Sequence, residues 1–155
     1  MGNRLILNHF SSEPFELVDK TYENISQFKP EGLWLCKDND WYDFAINGVR
    51  SHEEMKYKTT FEVDTHNVRL IKNHDELIKF HNAFPAIGSL NDIFLYGLLN
   101  WKKVSEQYDG VIISPYKRIG IINGNYIPWH ESWDVASGCF WNTRCLRFIE
   151  CNEYH

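Results

Sequence analysis

The sequence predicts an α+β fold in a single domain, and three observations carry that expectation. Runs with strand patterning outnumber helical ones, the helical runs fall between them without regular β–α alternation, and no repeat or linker divides residues 1–155. Hydrophobic residues make up 43% of the chain and aromatics 15%, a composition that excludes disorder and supplies one core.

The elements follow in order. "RLILNHFSS" (4–12) is an apolar run ending in turn formers, a first strand with His9 where strand meets loop. Residues 11–31 are irregular and punctuated by Pro14 and Pro30, and "GLWLC" is a short strand begun by Gly32. After a turn at Asp38, Asn39 and Asp40, "DWYDFAI" places Trp41, Phe44 and Ala45 at helical spacing behind Asp40 as N-cap. "YKTTFEVDTHNVRLIK" holds two alternating, β-branched runs around the turn Asp64-Thr65-His66-Asn67. "NHDELIKFHNAF" is a helix capped by Asn73 and Glu76, with Leu77, Phe80, His81 and Phe84 on one face and His81 hydrogen-bonded at the core edge. "NWKKVSEQY" repeats the device with Asn100 as cap, and "DGVIIS" is the next strand. Asn123-Gly124 suits a hairpin, "GCFWN" and "CLRFIE" are strands, and Trp141 alternates onto the same side as Cys139, facing the core.

Elimination narrows the function. A net charge of −5 with no Lys/Arg run longer than two lacks the footprint of a polynucleotide binder. No stretch reaches the ~18 apolar residues of a membrane span, and no leader pattern begins the chain, so the expected location is cytoplasmic. Cys36, Cys139, Cys145 and Cys151 have no CxxC or zinc-type spacing, so reduced, largely buried thiols and no metal are expected. The glycines form neither GxGxxG nor GxxxxGK[ST]; "HEEMK" and "HESWD" lack the second zinc-protease histidine; "VASGC" is not a GxSxG elbow.

What survives is an ordered set: His9 and Ser11 at the end of strand one, Trp34 in strand two, and Glu131, Trp133, Asp134 and Ser137 leading into a late strand. Through "NHFSS", "KPEGLWLC" and "SGCFWNTRCL" this set resembles the ADP-ribosyltransferase superfamily, in its poly-ADP-ribose polymerase-like branch. The resemblance spans His9 to about Phe148 and implies a compact, split, antiparallel-rich sheet with a few short helices, and NAD as substrate. It assigns His9 and Ser11 to ribose hydroxyls, and Trp34 or Trp133 to the nicotinamide ring, with Ser137 beside them. Two departures stand out. Trp34 replaces the usual tyrosine, and where the family carries a glutamate this chain has Ser137 or Gly138, so Asp134 stands in, with Glu131 in reserve.

Those residue types suit the reaction. Breaking the nicotinamide–ribose bond builds oxocarbenium-like charge that a carboxylate stabilises, while a flat ring wants an aromatic platform. Each residue also has a structural role open to it: His9 as a strand-end hydrogen-bond donor, Asp134 as a turn residue before "VASG", and the tryptophans as packing. "WHESWD" is expected as a loop walling the site, with His9 and Trp34 on neighbouring strands facing one cavity. Two other classes stay open: a non-catalytic module that binds a nucleotide or peptide in an aromatic cleft, and an interaction protein presenting exposed tryptophans.

Overall fold

The computed structural model describes residues 4–88, 96–118, 121–122 and 124–154. Its main element is a seven-stranded mixed sheet built from β1 (Arg4–Ser11), β2 (Leu33–Cys36), β3 (Tyr57–Asp64), β4 (Val68–Ile71), β5 (Gly110–Ile113), β8 (Ser137–Phe140) and β9 (Leu146–Glu153). The order is β4-β5-β8-β2-β1-β3-β9, and only the β4–β5 pairing is parallel. Among the described residues four short α-helices accompany it: α1 (Asp40–Ala45), α2 (His74–Ala83), α3 (Trp101–Gln107) and α4 (Pro128–Glu131). This is the α+β class. None of the described helices is long and apolar enough to cross a membrane.

The sheet is divided where β1 meets β2, because their only paired residues are Asn8 and Cys36. One wing is β4-β5-β8-β2 and the other is β1-β3-β9. The turn Asp64–Asn67 connects them, from β3 in the middle of the second wing to β4 at the outer side of the first: a 3-10 turn in which the Asp64 side chain accepts from the His66 N–H. The alternating runs before and after it therefore do not pair with each other; β3 lies between β1 and β9, while β4 pairs with β5. Three turn residues can join strands that stand first and sixth in the sheet only if the wings curl toward each other.

Alternation then gives each wing two jobs. Leu7, Leu33, Leu35, Phe61, Val63, Ile112, Phe140 and Leu146 form one apolar cluster drawn from both wings. On the other face of the first wing, Val111, Ile113, Cys139 and Trp141 pack under the helices with Leu77, Phe80, Trp101, Val104 and Trp129. Val111 and Ile113 thus share a face that Ile112 does not, as a period of two requires. Both α2 and α3 have their expected caps, since Asn73 Oδ1 accepts from the Glu76 N–H at 2.9 Å and Asn100 Oδ1 from the Lys103 N–H at 3.1 Å. Glu76 reaches back to the Lys72 N–H at 2.7 Å, and His81 accepts from the Trp129 indole at 3.1 Å.

Three local expectations are corrected. α1 begins at Asp40, after Asn39, whose side chain makes no cap bond, and of its apolar residues only Ala45 is buried. A six-residue helix packed on the small cluster of Phe10, Cys36 and Met55 has too little neighbouring surface to cover Phe44, which is 40% exposed. "WHESWD" is not a loop throughout, because Pro128 starts the helix α4 and Trp129 and His130 are buried in the helix layer. The hairpin of β6 (Ile121–Ile122) and β7 (Asn125–Tyr126) is present, with Gly124 at φ +78°; Asn123 lies outside the described residues. All four cysteines are free thiols.

Gly110 opposes Phe140 where β5 enters the sheet, and a Cβ there would stand 2.6 Å from the Cys139 carbonyl oxygen. Backbone on that side cannot retreat, so Gly110→Ala is expected to lower stability by about 1–3 kcal/mol, read as a lower urea midpoint at unchanged slope.

Candidate functional site

The register sets one row of residues across the end of the sheet: Ile71, Ile113, Ser137, Cys36 and Asn8 are successive partners. Beyond this row β1 and β2 separate, and a cavity of about 280 Å³ lies there, walled by Asn8, His9, Lys29, Trp34, Trp41, Arg50, Trp133, Asp134 and Ser137, among others. By pleat alone Trp34 shares a face with Asn8 and Cys36, and His9 takes the other. They meet because the ladder stops at Asn8–Cys36, and the His9 ring spans the gap with Nδ1 2.9 Å from the Trp34 carbonyl oxygen.

A carbonyl only accepts, so His9 Nδ1 carries the proton and Nε2 keeps its lone pair when the ring is neutral. Burial lowers the His9 pKa, and the bond to the Trp34 carbonyl opposes that only in part. The ring also rests 4.8 Å from Phe15. His9 is thus an oriented acceptor suited to a hydroxyl.

Trp34 and Trp133 meet edge to face with centroids 4.7 Å apart. The Trp133 indole donates to the Ser137 carbonyl at 2.9 Å, and the Ser137 hydroxyl donates to the Val135 carbonyl at 2.9 Å. These bonds tie the segment after α4 to the first residue of β8. Between them Asp134 has φ +69°, and the Val135 N–H reaches over it to the Trp133 carbonyl at 2.8 Å. This is a tight γ-turn in a region that Asp and Asn tolerate better than other L residues. Strained backbone of this kind gathers where a side chain must be presented. Burial raises the Asp134 pKa; Lys29 and then Arg118 pull it down, and Glu131 pushes it up.

Lys29 was not foreseen. It lies in an irregular stretch with no periodicity to mark it, yet its Nζ is 4.7 Å from the Trp34 ring centroid and 3.3 Å from the Ser132 carbonyl. Trp41, placed by the sequence at helical spacing in α1 and given no part in the site, also walls the cavity. A ring stacking on the Lys29 face of Trp34 has to displace the ammonium, at a cost of about 0.5–1 kcal/mol for a partly exposed pair.

Two expected residues lie elsewhere. The Ser11 hydroxyl donates to the Glu13 carbonyl at 2.7 Å and is not on the cavity wall. Glu131 points to Arg118, with 2.9 Å between its Oε1 and the guanidinium, and does not wall the cavity either. None of the six tryptophans is exposed: Trp34 and Trp41 are half-buried and the other four are buried. The reading as a display of exposed tryptophans is therefore set aside. Among the described residues no group of three or more His, Cys, Asp or Glu side chains is placed to hold a metal.

The assembled cavity offers an aromatic wall, an oriented imidazole acceptor, a partly desolvated carboxylate and one nearby ammonium. Compared with known proteins, the chain matches no family model, no curated protein and no solved structure.

Proposed function

We propose that the chain is an NAD-utilising, ADP-ribosyltransferase-like enzyme that cleaves the nicotinamide–ribose bond, with transfer to an acceptor or to water. The observation that carries this reading is that His9, Trp34, Trp133, Asp134 and Ser137, drawn from distant parts of the sequence, wall one cavity in the cleft between two strands. The divided sheet also agrees with the architecture that the resemblance implies.

In this reading His9 Nε2 accepts from a ribose hydroxyl and fixes the sugar, a positioning contribution. The nicotinamide packs against the wall that Trp34 forms with Trp133 behind it. As the C–N bond breaks, its electron pair goes to the ring nitrogen and neutralises the pyridinium, and positive charge develops on the ribose. Asp134 stabilises that charge, and the attacking hydroxyl or water forms the new C–O bond and releases its proton. Glu131, held by Arg118, acts on the site only through its charge.

The alternative, a nucleotide- or peptide-binding module without turnover, has one observation in its favour. Lys29 covers Trp34 and offsets the Asp134 charge, an arrangement that suits holding an anion as well as reacting with a cation. Incubation with NAD labelled in the nicotinamide separates the two. Release of free nicotinamide is expected from the enzyme, and saturable binding without release assigns the module instead. His9→Ala should weaken NAD binding roughly fivefold, the worth of one hydrogen bond of about 1 kcal/mol. Unchanged affinity in that variant would remove His9 from the site.

A further inference from the structure

The wall of the cavity between β1 and β2 carries Lys29 and Arg50, and the two cations are placed differently. Arg50 is exposed and pairs with Glu54 at 3.5 Å. Lys29 is half-buried and makes no ion pair with a described residue. Its ammonium lies 4.7 Å from the Trp34 ring centroid and donates to the Ser132 carbonyl at 3.3 Å.

The segment that brings Lys29 there is fastened on both sides. The Gln27 carbonyl accepts from the Leu99 N–H at 2.9 Å. The buried Asn24 side chain accepts from the Glu31 N–H at 2.8 Å and donates to the Glu31 carbonyl at 3.2 Å. An irregular stretch is thereby held so that one ammonium stands beside the aromatic wall, on a cavity that also holds the Asp134 carboxylate.

A ring that packs on Trp34 meets this ammonium. Moving it off the indole face weakens the binding of every ring of one shape alike, whereas charge repulsion falls only on a ring that is itself a cation. Two like unit charges about 4 Å apart change an affinity by about fivefold even at the dielectric of water, and by more in a partly desolvated cleft. Cleavage of NAD crosses that divide, because its nicotinamide is a pyridinium while bonded to ribose and neutral once released. As the C–N electron pair passes to the ring nitrogen, positive charge leaves the ring beside Lys29 and develops on the ribose. The hydroxyl or water oxygen then forms the C–O bond and gives up its proton. Repulsion present in the bound substrate and relieved in the transition state weakens binding and raises the rate by the same factor.

We propose that Lys29 selects by charge at this cavity: it disfavours a cationic ring on Trp34 against a neutral ring of the same shape, and thereby speeds the departure of nicotinamide. The second half rests on the NAD reading, and the first does not.

The test compares two probes on the full-length chain at neutral pH, followed by tryptophan fluorescence: nicotinamide, and nicotinamide methylated on its ring nitrogen, a permanent cation. Lys29→Met is expected to shift the ratio of the two affinities toward the cation by at least about fivefold, and Lys29→Arg, which keeps the charge, to hold the parent ratio. The ratio is read within each variant, so a general loss of affinity from a structural role does not move it. With labelled NAD under single-turnover conditions, Lys29→Met is expected to lower the dissociation constant and the rate of nicotinamide release together, each about fivefold. The proposal is overturned by an unchanged ratio in Lys29→Met, by an equal shift in Lys29→Arg, by a parent chain that binds neither ring, or by a shifted ratio with an unchanged release rate. If the parent chain releases no nicotinamide at all, the enzyme reading falls, and the ratio alone decides whether Lys29 selects by charge.

Discussion

Asp134→Asn is expected to lower NAD consumption by at least about a hundredfold while leaving the melting temperature at neutral pH no lower than in the parent chain. The first half follows from charge: the amide keeps the shape of the carboxylate but cannot stabilise an oxocarbenium-like state, and losing one such group costs on the order of a hundredfold. The second half follows from burial and backbone. Asn tolerates φ +69° as well as the Asp134 that sits there, so the backbone cost is unchanged. Burial raises the Asp134 pKa above its ordinary value, so its contribution to stability is present at low pH and is lost as pH rises through the folded-state value. At neutral pH the substitution therefore removes a penalty rather than a support. The same sign predicts that turnover in the parent chain falls, on acidification, through a pKa above the usual aspartate value. Turnover that survives in Asp134→Asn and disappears in Glu131→Gln would move the reaction's carboxylate to the Arg118-paired side chain.

Trp141→Ala is expected to have the largest effect on stability, about 3–5 kcal/mol. The ring is 1% exposed and sits in the helix-side cluster with Trp101, Val111 and Cys139. Its indole N–H donates to the Tyr108 carbonyl, which truncation leaves without that partner. The backbone of the same residue accepts from the Tyr22 N–H and donates to the Asp109 carbonyl, so the loop from the first strand is fastened at this point. For a domain of this size the loss corresponds to a fall of roughly 6–20 °C in melting temperature, measurable by calorimetry. A loss below about 1 kcal/mol would show that the cluster repacks around the gap.

Much of the helix layer was legible in advance, because caps and apolar spacing are local. Asn73, Asn100 and the faces Leu77/Phe80/His81 and Trp101/Val104 lie where their periodicity places them. The alternation of Cys139 and Trp141 likewise put both into one cluster. The site was legible only in part. His9, Trp34, Trp133, Asp134 and Ser137 reach a common cavity, but Ser11 satisfies a neighbouring carbonyl and Glu131 an arginine, choices that no spacing encodes. Lys29 was invisible for the same reason: a lone polar residue acquires meaning from what surrounds it in space.

By itself the sequence determined the class of the fold, the main strands, the helices α2 and α3 with their caps, and which of their faces are apolar, since these rest on interactions within a few residues or on a period of two or 3.6. Tertiary structure alone decided that the runs flanking Asp64–Asn67 part to opposite wings and that pairing between β1 and β2 stops after Asn8–Cys36. Strand partners are chosen by the global burial of faces that look alike along the chain, so a turn can be read locally while the pairing beyond it cannot. The cleft left by that interrupted ladder, and the carboxylate turned into it by a γ-turn, exist only once both wings have closed on their shared core.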